Sequence, residues 1–505
     1  MNRSMIKKIS LRLSALTLAL LFALSLTALL PRNALKGRAA GVTVVETYSG
    51  STLTYRGEFS DPESAWSVAT SLTNVIVTLG SDWNLTKMVP ISTNATIDLN
   101  GHTINRGRDG KQVSNGALFC VTKDVTLTIK DSDPLSVGYD GIRGGVLTGG
   151  ASTDTAGCFE ILGGNVYMEG GTVYNCTTDL DGGAVRMKEG SFKMTGARIY
   201  FCRTVDSVDS CNGGGIYVDE GTVELVDSKI DNCYSEDYGG AIYTENASIT
   251  LNNVIISGNK CLNYGGGICI WDDTDFTARN CHFVNNRAEE RGGAVYVDDA
   301  PDNSQVILFE RCNFRDNEAG KDGGAMYVND DSVGLSNVEM TGNYAKNRGG
   351  AVFVECDYDI TVRGLMIIKD NKCDKASMSN LTLEFGTFSD AKIMNSGLYS
   401  GSCIYIGTTG DEDNNTFGYS DGDIVLSYKD IGRSQWTYFH ADEGKIVFQK
   451  LAYRKTPLVS SASIFGNGSI WITVVLGSLG IIAAIAVIVV KKKKNRVAKS
   501  GKETK

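Results

Sequence analysis

Through the middle of the chain, apolar residues recur in the order apolar-x-apolar-x-x-apolar-x-apolar. Ile249, Leu251, Val254 and Ile256 make one copy, and Phe276, Ala278, Cys281 and Phe283 the next. Ile307, Phe309, Cys312 and Phe314 follow, then Val333, Leu335, Val338 and Met340. Alternation broken by a two-residue step predicts two short strands with one inward face each and a bend between them.

Ahead of each copy stands a Gly-Gly-small-aliphatic-aromatic unit. The series runs Gly182-Gly183-Ala184-Val185, Gly213-Gly214-Gly215-Ile216-Tyr217, Gly239-Gly240-Ala241-Ile242-Tyr243 and Gly265-Gly266-Gly267-Ile268. It continues as Gly292-Gly293-Ala294-Val295-Tyr296, Gly323-Gly324-Ala325-Met326-Tyr327 and Gly349-Gly350-Ala351-Val352-Phe353. Successive units start 31, 26, 26, 27, 31 and 26 residues apart. Weaker copies stand at Gly116-Ala117-Leu118-Phe119, Gly157-Cys158-Phe159 and Ser402-Cys403-Ile404-Tyr405. The glycine pair fits a tight bend where a Cβ would clash, and the strand after it makes three strands per repeat.

One such coil cannot bury its apolar side. Stacked on an equivalent coil about 4.8 Å away, every strand pairs in parallel and the coils share a core. The expected fold is therefore all-β, a parallel β-helix of roughly a dozen coils and about 60 Å. Leucine-rich repeats share the period, but their leucine spacing is not followed here.

Each coil carries a corner signature. Asn259, Asn286, Asn317, Asn343 and Asn371 fall in one column, with Cys176, Cys202 and Cys233 in the same place earlier. Asparagine tolerates a left-handed backbone and bonds to its copies above and below. These asparagines and the glycine pairs read as structural turn residues rather than a phosphate cradle. The two longer intervals read as loop insertions near Val205 to Ser210 and near Ala300 to Ser304, the second containing Pro301.

Asp61-Pro62-Glu63 starts a short helix through Leu72, with Asp61 as N-cap, expected to cover the first coil. Ile97 to Ile104 reads as an early coil. The chain divides into a signal peptide or signal anchor (1–40), an N-terminal cap and first coils (41–110), the repeats (111–420), a C-terminal cap (421–458), a linker (459–469), a transmembrane helix (470–490) and a basic cytoplasmic tail (491–505).

The ends supply the reasons for that division. Arg3, Lys7, Lys8 and Arg12 precede an uncharged run from Leu13 to Leu30, the layout of an export signal. Ile470 to Val490 is 21 residues without a charge, long enough to cross one hydrocarbon core of about 30 Å. Lys491 to Lys494 follow, which places the tail in the cytoplasm and the body outside. The terminal segments hold 15 basic residues and one acidic, leaving 49 − 15 = 34 basic against 58 − 1 = 57 acidic, a charge of −23 for the ectodomain. Such a surface repels nucleic acid and anionic lipid.

Phe283-Val284-Asn285-Asn286 followed by Gly292-Gly293-Ala294-Val295, and Phe314-Arg315-Asp316-Asn317 followed by Gly323-Gly324-Ala325-Met326, resemble the polymorphic outer-membrane protein repeat of chlamydial surface proteins. The resemblance covers about residues 160 to 405. It implies a right-handed β-helix at the cell surface acting in adhesion. A looser similarity to pectate-lyase-like β-helices reaches Asp98 to His102. No outer-membrane barrel accompanies it, only one apolar helix and a basic tail, which points to a single-membrane envelope; without a Leu-Pro-x-Thr-Gly signal, covalent anchoring to a wall is not expected.

Acidic residues follow each glycine-pair strand: Glu189, Asp219, Glu220, Glu245, Asp272, Asp298, Asp299, Asp330 and Glu355. As a site, this row would bind Ca²⁺ or a ligand, or hold a carboxylate pair; otherwise it is a line of solvated turn residues. Tyr217, Tyr243, Tyr296, Tyr327 and Phe353 form a column that is a sugar platform if outward and a core ladder if inward. The three histidines, His102, His282 and His440, lie far apart, so neither a zinc site nor a histidine triad is expected. The 13 cysteines fall mostly in repeat columns, too far apart for disulfides in register, although Cys202 and Cys211 could close the first insertion. No catalytic or metal residue stands out. The expected function is binding of an extracellular glycan or protein by a membrane-anchored surface protein, with a tethered polysaccharide lyase or glycoside hydrolase as the alternative.

Overall fold

A computed structural model describes residues 41–107, 111–205, 211–298, 306–329, 332–355, 359–374, 380–383, 392–398, 403–408, 418–420, 437–442 and 445–450. The export signal, both insertion loops, the linker, the apolar segment 470–490, the basic tail and all of 421–436 and 451–458 lie outside the described residues. Among the described residues no helix is long and apolar enough to cross a membrane.

The repeats form a parallel β-helix. In one coil the strands are Ile242–Thr244, Ala247–Asn252, Ile255–Ser257 and Lys260–Cys261. Each pairs in parallel with its copy one coil on: Ile242 with Ile268, Ile249 with Phe276, Ile256 with Phe283 and Cys261 with Ala288. The weaker copies at Phe119 and Phe159 take the same register, Phe119 against Phe159 and Phe159 against Val185. The apolar pattern faces inward as its alternation requires. Ile249, Leu251, Val254 and Ile256 are all buried, each contributing roughly 1.5–3 kcal/mol by leaving water.

Three expectations need correction. The coil has four strands, not three; the fourth is only two residues long and builds a separate nine-stranded sheet from Ala151–Ser152 to Lys372–Cys373. Two residues show no alternation, so the pattern passes over it. Secondly, Ser402-Cys403-Ile404-Tyr405 is not a glycine-pair unit. Cys403 and Ile404 pair with the third strand at Ile367 and Ile368, and Leu381 takes the seat beside Val352. Thirdly, the left-handed corner residue stands one position before the asparagine column: Asn285 at φ 55, Asp316 at φ 55 and Gly342 at φ 73.

The column asparagines are buried and bond to one another. Asn286 donates from its backbone and its Nδ2 to Oδ1 of Asn317, both at 3.0 Å, and Asn317 does the same to Asn343 at 3.0 and 2.9 Å. Asn371 passes the chain on to Asn380 at 3.1 and 3.0 Å. Where cysteine replaces asparagine, Cys233 still donates its N–H to Asn259 Oδ1 at 2.9 Å. Cys202 and Cys211 are not joined by a disulfide, and neither are the other nine cysteines whose side chains are described.

The glycine pair is required by backbone approach. Gly323 has φ +68, and a Cβ on it would lie 2.3 Å from the Met326 carbonyl oxygen of its own coil. Its neighbour Gly324 faces the next coil equally closely.

Before the repeats, Thr43–Ser49 pairs antiparallel with Thr52–Phe59 and with Val75–Thr78, and Val75–Thr78 joins the parallel ladder at Ala95–Asp98. The helix spans Pro62–Ala69, ending short of Leu72; Asp61 accepts from the Ser64 N–H at 2.8 Å, and Ala65 and Ala69 are buried. Toward the other end, Thr437–Asp442 pairs antiparallel with both Cys403–Thr408 and Lys445–Lys450.

Candidate functional site

The strand after each glycine pair points its first and third residues into the coil and its second outward. Ile242 therefore faces the core while Tyr243 faces away, and parallel register stacks the outward residues. The column reads Cys120, Glu160, Arg186, Tyr217, Tyr243, Cys269, Tyr296, Tyr327, Phe353. The aromatic column is thus neither an open platform nor part of the main core. Tyr243, Cys269, Tyr296, Tyr327 and Phe353 form a second buried cluster of their own, outside the coil.

What covers them is the residue before each glycine pair. Tyr238 and Tyr264 stack on each other at 5.2 Å, and Tyr264 lies 4.5 Å from the Tyr296 ring. Further along, the Arg291 guanidinium stands 4.8 Å over Tyr327 and that of Arg348 4.0 Å over Phe353, with Arg348 also paired to Asp322 at 3.0 Å. Cation–π contact of this kind replaces ring stacking without opening the layer. Trp271 completes the ledge. Cys269 leaves a tyrosine's worth of space, and Trp271, two residues on, packs at 5.4 Å from Tyr238 and 6.1 Å from Tyr296.

Ring faces are largely taken up by other rings: Tyr217 lies parallel to Tyr243 at 5.4 Å and 2°, and Tyr296 to Tyr327 at 5.4 Å and 16°. What the ledge presents outward is ring edges, hydroxyls and carboxylates. Tyr217, Tyr238, Tyr264 and Trp271 are half-buried and form its open part.

The acidic row separates into two adjacent columns. Asp219, Glu245, Asp298 and Glu355 lie two residues beyond the tyrosine position, on the same outward face. Glu245 accepts from the hydroxyls of Tyr217 at 2.7 Å and Tyr243 at 3.2 Å. Asp298 accepts from Tyr296 at 2.8 Å and Asn329 at 2.8 Å, and Glu355 accepts from Tyr327. Glu189, Glu220 and Asp272 stand one residue further on and are exposed, Asp272 with φ 22 in a turn. Asp299 and Asp330 lie outside the described residues. Among the described residues no three His, Cys, Asp or Glu side chains converge as a metal site.

At the ledge's N-terminal end the column turns charged. Glu160 is buried, paired with Arg186 at 2.9 Å, and accepts the Ala156 N–H at 2.8 Å. Burial pushes its carboxyl up despite Arg186, and burial likewise raises Asp181, which accepts the Asn212 N–H at 2.8 Å. Sequence reasoning passed over Glu160, Asp181, Arg186, Tyr238, Tyr264, Trp271, Arg291 and Arg348. The repeat alignment held the signal, since the position before each glycine pair reads Tyr238, Tyr264, Arg291, Asp322, Arg348 in successive coils.

The ledge sets a pH response. Burial first, and carboxylate neighbours after it, push Tyr217, Tyr243, Tyr296 and Tyr327 far above the ordinary phenol range, and burial brings Tyr238 to about 12. Unfolded tyrosines ionise near about pH 10. The fold holds the protonated form, so this stabilisation is complete below that pH and is lost as pH rises above it. After the exposed tyrosines have ionised, the ladder's share of the tyrosinate absorbance should therefore appear only together with the loss of circular dichroism on alkaline titration; full tyrosinate absorbance with the fold intact would contradict the burial.

Residues 183–367 match the family described as the right handed beta helix region. Together with the ladder, the match defines an all-β, right-handed parallel β-helix of about ten turns. No curated protein and no solved structure matches the chain.

Proposed function

We propose that this protein is an exported β-helix, held at a cell surface by the apolar segment 470–490, that binds an extracellular glycan or protein along the aromatic ledge. The observation that carries this reading is the half-buried group Tyr217, Tyr238, Tyr264 and Trp271 with the Glu245 carboxylate beside it. Ring edges offer apolar contact and carboxylates accept hydroxyl or ammonium donors, a combination suited to a hydroxyl-rich or cationic partner. The ectodomain charge argues against polyanions. Likeness to the polymorphic outer-membrane repeat supports adhesion, and the hairpin 43–59 with the helix Pro62–Ala69 acts as the N-terminal cap.

A second reading, a tethered glycoside hydrolase or lyase, draws on Glu160 and Asp181, two carboxyls raised by burial near Arg186. The test is incubation of the full-length protein with a polysaccharide panel, measuring retention and release of reducing or unsaturated ends. Retention without release is expected, weakened about tenfold in a Tyr238→Ala, Trp271→Ala double variant. Product formed at catalytic rates and abolished by Glu160→Gln would replace binding with turnover; no retention of any polysaccharide or of a cationic protein would remove the ledge as a site.

A further inference from the structure

The corner between the third and fourth strands is left-handed along the stack. Its residue is Asn175, Asn232, Gly258, Asn285, Asp316, Gly342 or Asp370, all types that accept positive φ with little penalty. One coil breaks the rule with Phe201, at φ 60. A bulky aromatic in that conformation is strained, and no core packing offsets it, because Phe201 is 49% exposed.

Phe201 is one end of a run of rings. Its ring meets Tyr200 edge-on at 5.0 Å, Tyr200 stacks on Tyr174 at 5.5 Å, and Tyr174 lies 6.2 Å from Tyr139. The three tyrosines are half-buried, and the loop carrying Tyr139 also leaves Leu135 75% and Val137 57% exposed. This face is built from third strands and corners, whereas the ledge is built from the strand after the glycine pair, so the two surfaces are distinct.

Its charges are matched internally. Arg198 bonds Asp231 through Nε at 2.6 Å and lies 3.8 Å over the Tyr200 ring, and Lys229 reaches Asp231 at 3.3 Å. Asp140, exposed at the rim, accepts from the Tyr174 hydroxyl at 2.9 Å. Charge complementarity selects an uncharged ligand with hydroxyl donors. Half-exposed rings offer at most about 100 Å² each, so the four of them fall short of the roughly 800 Å² per partner of a stable protein interface. Tyr174 and Tyr200 stack on each other and Arg198 lies over Tyr200, so the open Phe201 ring, Tyr139 and the tyrosine edges remain, enough for the apolar face of one or two sugar rings.

We infer that Tyr139, Tyr174, Tyr200 and Phe201 form a binding site for a neutral oligosaccharide, with Phe201 kept in a strained corner to present its ring. The test uses the full-length protein in detergent, titrated calorimetrically with oligosaccharides of glucose, xylose and N-acetylglucosamine, and with oligogalacturonate as the anionic counter-probe. Phe201→Asn restores the residue type of neighbouring corners. It is expected to leave the melting temperature unchanged or higher while weakening neutral binding about tenfold. Tyr238→Ala on the ledge separates the two surfaces: neutral binding lost there and kept in Phe201→Asn would overturn the site. A lower melting temperature in Phe201→Asn would make Phe201 structural and overturn it too. So would binding of oligogalacturonate alone, binding of no probe, or self-association abolished by Phe201→Asn, which would assign the face to a second copy.

Discussion

Gly324→Ala will destabilise the solenoid by about 3 kcal/mol. The added Cβ would stand 2.1 Å from the Gly350 carbonyl oxygen of the next coil and 2.6 Å from the Tyr344 carbonyl oxygen. Both are backbone atoms, and the Gly324 N–H already donates across the same gap to the Gly349 carbonyl at 2.9 Å. Relief therefore requires parting two coils, which disturbs every ladder between them. Gly196 is the matched control. It has φ +61 with nothing within 4 Å of an added Cβ, so Gly196→Ala meets only the left-handed penalty of about 1–2 kcal/mol. Thermal denaturation followed by circular dichroism reads both variants; equal shifts would mean that the coil spacing yields to a methyl group and that the coils are not tightly stacked.

Asn317→Ala is expected to be as damaging for a different reason. The side chain accepts two bonds from Asn286 and donates to Asn343 Oδ1 at 2.9 Å and to the Phe283 carbonyl at 2.9 Å. Truncation leaves both Asn286 donors unmet in a column sealed from water and takes one donor each from the Phe283 carbonyl and from Asn343 Oδ1, which keeps the Asn317 N–H. At about 1–3 kcal/mol for each unmet group, partly relieved by rearrangement, a loss of about 4 kcal/mol follows. Asn259 stands at the junction with the cysteines and accepts only the Cys233 N–H from the coil before it. Asn259→Ala should therefore cost about 1 kcal/mol less. Denaturant titration of the two variants, with hydrogen exchange at the flanking corners, tests the order; an Asn259 variant as unstable as the Asn317 one would show that the amide chain is not what holds the corner.

The coil was legible because the repeat writes register directly. Once Ile242 and Ile268 share a position, their pairing follows, and so does the inward face of Ile249 and Leu251. The fourth strand was not legible, since Tyr234–Ser235 is too short to alternate. Nor was the last seat: Asn380 and Leu381 follow no glycine pair, whereas Cys403 and Ile404 imitate the unit and belong elsewhere. The site was half legible. Acid after each strand was visible, but Asp219 and Glu220 differ by one residue, and in a strand leading to a turn one residue separates the tyrosine-bonded face from the solvated bend. The exchange of Cys269 and Trp271 is a matter of ring volume across coils, which a column of residue types does not express.

The asparagine chain has a sense of direction. In the bonds between side-chain amides, each accepts from the coil made before it and donates to the coil made after it. As the chain emerges N-terminus first, the newest coil from Asn259 onward thus carries a hungry amino group whose acceptor has yet to follow. Assembly runs as a zip fastener, each tooth recruiting its successor, and a break in the middle strands the portion behind it with an open donor while the portion ahead has lost its template.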